Sequence, residues 1–113
     1  METTSIVIGD TVVRTIGDSP SECFELRGWP CQYFEFTAPR SGTIVVQLTF
    51  VPDTQRGQVI DISIHGDGER WAQFYDQSSA RLTSPVTAGV RYTVTLWYTF
   101  PRLVYTLRTA YSN

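Results

Sequence analysis

Residues 91–98 read RYTVTLWY, and this stretch decides the fold class. Its apolar side chains stand at every second position, at Tyr92, Val94, Leu96 and Tyr98. A period of two is typical of a β-strand that has one face buried and the other in solvent. Trp97 falls in the polar set of the same strand. A large aromatic at such a position either covers a neighbouring loop or forms a surface that binds a ligand.

The same alternation recurs along the whole chain. The predicted inward sets are Phe34 and Phe36; Ile44, Val46, Leu48 and Phe50; Ile60, Ile62 and Ile64; and Tyr105 and Leu107. Turn signals rich in Gly, Pro, Asp and Ser separate these segments at intervals of roughly eight to twelve residues, which favours an all-β sandwich or barrel. The predicted strands lie near 6–8, 11–16, 33–37, 43–50, 59–65, 70–75, 81–86, 91–100 and 103–110, with the first two taken as one. We therefore predict an antiparallel β-sandwich of the jelly-roll type with about eight strands.

Length and charge limit the possible functions. The chain has 113 residues, which suits a single domain over 1–113 with its own core. Its formal charge is −2, and its nine basic residues are all arginines spread singly along the sequence, so a nucleic-acid partner is not expected. There is no run of about 18 apolar residues that could span a membrane.

The two cysteines indicate the redox state of the compartment in which the protein folds. Cys23 and Cys31 are separated by a Gly- and Pro-containing stretch, and their spacing fits no metal or redox motif. A local disulfide is the simplest interpretation, and it would persist only in an oxidising compartment. Two buried free thiols in a cytosolic protein are the alternative. The opening METTSIVIGD lacks the features of a signal peptide, so we expect a module cut from a larger secreted protein.

Four segments together resemble a known family. They are FEFTAPRSGTIVVQLTF from residue 34, VIDISIHGDG from 59, VTAGVRYTVTLWY from 86 and VYTLRT from 104. Their order resembles the bacterial pre-peptidase C-terminal domain, a secreted accessory β-sandwich that carries no catalytic motif. The resemblance implies an adhesion module attached to a secreted hydrolase, and the jelly-roll architecture is shared with many carbohydrate-binding modules. The three Trp and six Tyr residues depart from that family's pattern.

No catalytic constellation is evident in the sequence. His65 is the single histidine and lies beside a glycine turn, without a nucleophile near it. Carboxylate pairs such as Asp67 with Glu69 could do acid–base work on a glycoside only at a defined distance, and the sequence does not give that distance. We expect no enzymatic activity and no cofactor. A structural calcium ion is conceivable at Asp10, Asp18, Asp53 or the GDGE stretch at 66–69, although the last is better explained as a hairpin turn.

The aromatic residues give the sharpest functional signal. If Phe74 points to the core, then Trp71, Gln73 and Tyr75 point outward on one strand face. Trp71 and Tyr75 would then lie about 13 Å apart with an amide between them. Sugar rings stack their CH faces on flat aromatics and bond their hydroxyls to such polar groups. In the reversed register, Trp71 and Tyr75 are core residues instead.

These patterns predict a non-catalytic carbohydrate-binding module of a secreted glycoside hydrolase. The predicted binding residues for a β-glucan-type polysaccharide are Trp97, Trp71, Tyr75, Gln73, Trp29, Asp61 and Arg81. Trp29, inside the Cys23–Cys31 loop, is better interpreted as a packing lid over one end of the sandwich, with a loop-tip contact as the alternative. The alternative function is a protein-binding adhesion or folding-assistance domain, because Trp, Tyr and Arg also dominate protein interfaces.

Overall fold

The computed structural model describes residues 3–16, 31–50, 59–75, 79–98 and 103–112, and at 73–75 and 103 it describes the backbone alone. Nine strands are present in these ranges: β1 Thr3–Ser5, β2 Thr11–Ile16, β3 Cys31–Thr37, β4 Gly42–Phe50, β5 Val59–His65, β6 Glu69–Tyr75, β7 Ser79–Val86, β8 Arg91–Tyr98 and β9 Leu103–Ser112. None of the described residues forms a helix that could cross a bilayer.

The strands form two sheets packed face to face. One sheet has five strands in the order β1-β3-β8-β5-β6, and the other has four in the order β2-β9-β4-β7. Strands β2 to β9 alternate between the sheets except at the β5–β6 hairpin, which is the connectivity of an eight-stranded jelly roll. The predicted sandwich is confirmed. Strand β1 adds a ninth strand, which pairs parallel to β3 at the edge.

The first strand lies earlier than the sequence predicts. We expected strand structure at residues 6–8, but β1 ends at Ser5. The carboxylate of Asp10 accepts a hydrogen bond from the Val7 N–H at 2.8 Å, and the Asp10 N–H donates to the Val7 carbonyl at 2.9 Å. These bonds close a turn, so the chain leaves the sheet after Ile6, whose N–H still donates to the Glu35 carbonyl at 2.9 Å and whose side chain is buried.

The core consists of the inward sets that the alternation predicts. All four apolar residues of the opening stretch are buried, as are the predicted inward residues of β3, β4, β5 and β9. Aromatic rings bridge the two sheets, because Phe34 of β3 contacts Tyr105 of β9 edge to face, with ring centroids 6.5 Å apart. Such pairs add to the stabilisation from burial alone.

One polar side chain also links the sheets inside the sandwich. Gln32 of β3 donates from Nε2 to the Thr15 carbonyl of β2 at 2.8 Å, and its Oε1 accepts a hydrogen bond from the Tyr105 hydroxyl of β9. An inward-facing amide with its groups paired is tolerated in a core and fixes the relative position of its partners.

Candidate ligand-binding face

The outer side of the five-stranded sheet carries the tryptophans that the sequence singles out, and we call it the aromatic face. Trp71 lies on the edge strand β6 and is 58% exposed. The next residue, Ala72, packs against the core. The outward register of Trp71 therefore holds, and the reversed register, which would bury Trp71, is wrong.

Pairing across the sheet sets the neighbours of Trp71. It lies opposite Ser63 of β5, which lies opposite Thr95 of β8, and Thr95 lies opposite Tyr33 of β3. One transverse row thus has an aromatic residue at Trp71, another at Tyr33, and two hydroxyl residues between them. The Ser63 and Thr95 side chains are buried, whereas Tyr33 is half-buried.

Trp97 lies on the same face but is less accessible than Trp71. Strand β5 separates the two residues, so they are about 10 Å apart across the sheet and about 7 Å along it. Trp97 is half-buried, and its Nε1 is buried without a hydrogen-bond partner in the described part of the chain. Its ring therefore offers less stacking area to a ligand than the ring of Trp71.

The remaining predicted binding residues do not form one surface site with the two tryptophans. Asp61 lies between Gln73 and Trp97 in the pairing register. Its exposed fraction is only 2%, so its side chain cannot contact a polymer bound on the surface. Arg81 lies on β7, in the other sheet, and so does not join the aromatic face. The backbone of Gln73 and Tyr75 pairs with Asp61 and Val59. Trp29 lies outside the described residues.

An imidazole and a carboxylate border Trp71 on the aromatic face. The His65 Nδ1 lies 3.1 Å from the Glu69 Oε2, and both side chains are more than half exposed. Because His65 and Glu69 form the next transverse pair beyond Ser63 and Trp71, they supply hydrogen-bonding groups beside the exposed indole. The sequence alone does not reveal this pair, because the contact depends on the β5–β6 register.

The β5–β6 turn is held by a polar cluster that we call the Asp67 clamp, formed by Asp67, Thr87 and Tyr92. The Thr87 hydroxyl donates to Asp67 Oδ2 at 2.8 Å, and the Thr87 N–H donates to the Tyr92 hydroxyl at 2.8 Å. Hydrogen bonds from the Thr87 and Tyr92 side chains lower the pKa of the Asp67 carboxyl. A cleft of about 340 Å³ adjoins the clamp.

The calcium candidates have other roles where the structure describes them. Asp10 closes a turn, Asp67 belongs to the clamp, and Glu69 pairs with His65. No group of three or more His, Cys, Asp or Glu side chains that could hold a metal ion occurs within the described ranges. Asp18 and Asp53 lie outside them, so the possibility of structural calcium stays untested.

The described residues include one of the two cysteines that were predicted to form a disulfide. Cys31 lies opposite Trp97 on the aromatic face, is fully buried and is disulfide-bonded. Cys23 lies outside the described residues, so its pairing with Cys31 stays a prediction.

The fold and the exposed indole together define a jelly-roll sandwich with an aromatic outer face. Comparison with solved structures finds a similar fold in the pre-peptidase C-terminal domain of collagenase from Bacillus anthracis. The TM-score is 0.67 over 96% of this chain and 94% of that domain, at 10% sequence identity. This likeness confirms, for the fold, the resemblance stated from the sequence.

A second solved structure, a periplasmic inhibitor of g-type lysozyme from Aeromonas hydrophila, gives a TM-score of 0.49. It is 6% identical and covers 98% of both chains, and this likeness supports no conclusion about either fold or function. No family model matches the sequence, and no curated protein matches it.

Proposed function

We propose that the domain is a non-catalytic glycan-binding module of a secreted protein, with Trp71 as its principal stacking residue. The observation that carries the proposal is the 58% exposure of this indole on a sheet edge that polar groups surround. Indole is costly to leave in water, and a flat ring with hydrogen-bonding neighbours suits the amphipathic surface of a sugar.

The neighbours of Trp71 supply the polar half of such a site. His65 and Glu69 lie on one side of the ring, and Gln73 follows two residues along the same strand. A neutral β-glucan-type chain presents hydroxyls to groups of this kind and requires no charge complementarity. The half-buried Trp97, on the central strand β8 of the same face, is proposed as a secondary contact.

Secretion and attachment to a catalytic domain form part of the same proposal. The disulfide bond of Cys31 supports an oxidising compartment. The fold neighbour belongs to a collagenase, which is consistent with an accessory role beside a secreted hydrolase. A glycoside hydrolase as the parent enzyme is the specific form of this proposal.

Affinity electrophoresis tests the proposal. The purified domain is run through gels that contain soluble β-glucan, xyloglucan, xylan or mannan, with a polymer-free gel as reference. Loss of one stacked ring forfeits roughly 100 Å² of apolar contact, or about 2.5 kcal/mol, so a Trp71→Ala variant should bind about 50-fold or more weakly. A Val104→Ala variant, which shortens another exposed apolar residue on the other sheet, should bind as the parent does.

A protein-binding adhesion domain is the second candidate. It is favoured by the same exposed indole, because tryptophan is enriched at the centres of protein interfaces. No retardation of the domain in any polymer gel would reject the glycan proposal and favour this candidate. Equal retardation of the parent and Trp71→Ala would exclude Trp71 as the binding residue.

A further inference from the structure

The outer side of the four-stranded sheet differs in composition from the aromatic face, and we call it the arginine face. The arginine face is formed by the residues that alternate with the buried residues along these four strands. They are Thr11, Val13, Thr15, Thr43, Val45, Gln47, Thr49, Ser79, Arg81, Thr83, Pro85, Val104, Thr106, Arg108, Ala110 and Ser112. Every one of them is exposed or half-buried. We propose that this face binds a carboxylate-bearing polysaccharide, at a site separate from the aromatic face.

The charge on this face has one sign. Arg81 and Arg108 are its charged residues, and it contains no Asp or Glu, although the whole chain has a formal charge of −2. The acidic side chains Glu35, Asp61 and Glu69 belong to the five-stranded sheet instead. The five-stranded sheet thus carries these carboxylates together with Arg91, whereas the arginine face has basic groups alone, which gives an acidic protein a local attraction for anions.

Strand register places the two arginines in one row. Arg81 of β7 lies opposite Gln47 of β4, and Gln47 lies opposite Arg108 of β9. Two interstrand spacings separate the arginines, so their Cα atoms are about 10 Å apart with an amide between them. All three side chains are exposed.

Neither guanidinium is engaged elsewhere in the described part of the molecule. The Glu69 carboxylate contacts His65 in the other sheet, and no described residue bonds the side chain of Arg81 or Arg108. Each arginine therefore keeps its planar set of donors for a bidentate contact with a carboxylate.

The surroundings of the row favour a polysaccharide over an acidic peptide. Six threonines and two serines cover the arginine face, and it has no aromatic residue among its members. Protein interfaces rely on buried aromatic anchors, which are missing from this face. Hydroxyl and amide side chains instead match a polymer whose every ring carries several hydroxyls together with a carboxylate.

The test compares charged polymers at low and moderate ionic strength, because the attraction of exposed charges is screened by salt. The domain is titrated with polygalacturonate, dextran sulfate, poly-glutamate and neutral dextran, and binding is followed by calorimetry. We expect binding to polygalacturonate that weakens as salt is added. Arg81→Gln and Arg108→Gln should each weaken it roughly tenfold, as expected for one charge-assisted contact.

The matched control is Arg91→Gln, which removes the same charge from an exposed position on the five-stranded sheet. It should leave the affinity for polygalacturonate within about twofold, since surface substitutions away from a site have small effects. Trp71→Ala should also leave it unchanged, so this proposal and the glycan proposal for the aromatic face fail independently.

Several results would overturn the proposal. One is an equal loss of affinity for polygalacturonate in Arg91→Gln and Arg81→Gln. Another is undiminished binding in the Arg81→Gln/Arg108→Gln double variant, and a third is no binding of polygalacturonate by the parent domain. Stronger binding of poly-glutamate would assign the face to acidic proteins, and stronger binding of dextran sulfate would assign it to sulfated polymers. Circular dichroism confirms that each variant is folded.

Discussion

Replacement of Tyr92 by phenylalanine removes one oxygen atom from the Asp67 clamp. The Tyr92 hydroxyl accepts the Thr87 N–H at 2.8 Å and contributes to the lowered pKa of the Asp67 carboxyl. Its ring stacks on Phe36 with centroids 5.5 Å apart and is 1% exposed. Phenylalanine keeps this stacking, so the substitution isolates the contribution of the hydroxyl.

The expected loss of stability comes from the hydrogen-bond donor that the substitution leaves unpaired. The Thr87 N–H is part-buried and loses its acceptor, and leaving such a donor unpaired costs about 1–2 kcal/mol in the free energy of unfolding. With a urea dependence of about 1.5 kcal/mol per M, a loss of about 1.5 kcal/mol lowers the unfolding midpoint by about 1 M.

Urea unfolding followed by tryptophan fluorescence measures this loss, and Thr87→Val is the matched comparison. The valine variant removes the Thr87 hydroxyl that donates to Asp67 but retains the N–H bonded to Tyr92, so at neutral pH we expect a smaller loss than in Tyr92→Phe. An unchanged midpoint in Tyr92→Phe would refute the role assigned to the hydroxyl.

The clamp also predicts a pH dependence. Hydrogen bonds from Thr87 and Tyr92 lower the folded-state pKa of Asp67 below its ordinary value of 3.8. The ionised carboxylate therefore stabilises the fold above that value, and this contribution is lost as the pH falls through the folded pKa. Both variants should lose less stability than the parent between about pH 6 and about pH 2.5. A larger loss in either variant would contradict the clamp.

Two further substitutions test contacts elsewhere in the fold. In Gly66→Ala the added Cβ would lie 2.3 Å from Cδ1 of the buried Tyr92 ring, so we expect a loss of about 1–3 kcal/mol by urea unfolding. Gly68→Ala meets nothing within 4 Å and should change stability by less than about 0.5 kcal/mol, and equal losses would contradict the close approach. In Tyr111→Phe the hydroxyl that donates to the Arg40 carbonyl at 2.6 Å is lost, and thermal unfolding should report a loss of about 0.5–1.5 kcal/mol. No change in the unfolding temperature would show that this bond contributes nothing to stability.

Much of the fold could be predicted because alternation is a local property. In β4 the side chains of Ile44, Val46 and Leu48 are buried as their period of two requires. For β6 the same rule allowed two registers, and the structure shows the one in which Trp71 points outward. The rule failed at residues 6–8, where Asp10 closes a turn, because an apolar run of three residues cannot be distinguished from a turn by its pattern.

The candidate site was less predictable because it depends on which strands become neighbours. Arg81 was expected beside the aromatic residues, but pairing with β4 places β7 in the other sheet. Asp61 was expected at the surface, and the structure buries it at a central position between Gln73 and Trp97. Neither outcome could be inferred from the residues adjacent to these positions in the chain.

The sequence by itself thus determined which side of β3, β4, β5, β8 and β9 enters the core, because side-chain direction alternates with every residue and apolar side chains avoid water. The tertiary structure alone decided which outward residues share a face. It joined Arg81 to Arg108 across Gln47, although these residues are far apart in the chain, because pairing of β7, β4 and β9 is a long-range event. It also placed Trp71 beside His65 and Glu69 through the register of the β5–β6 hairpin, which the turn sets.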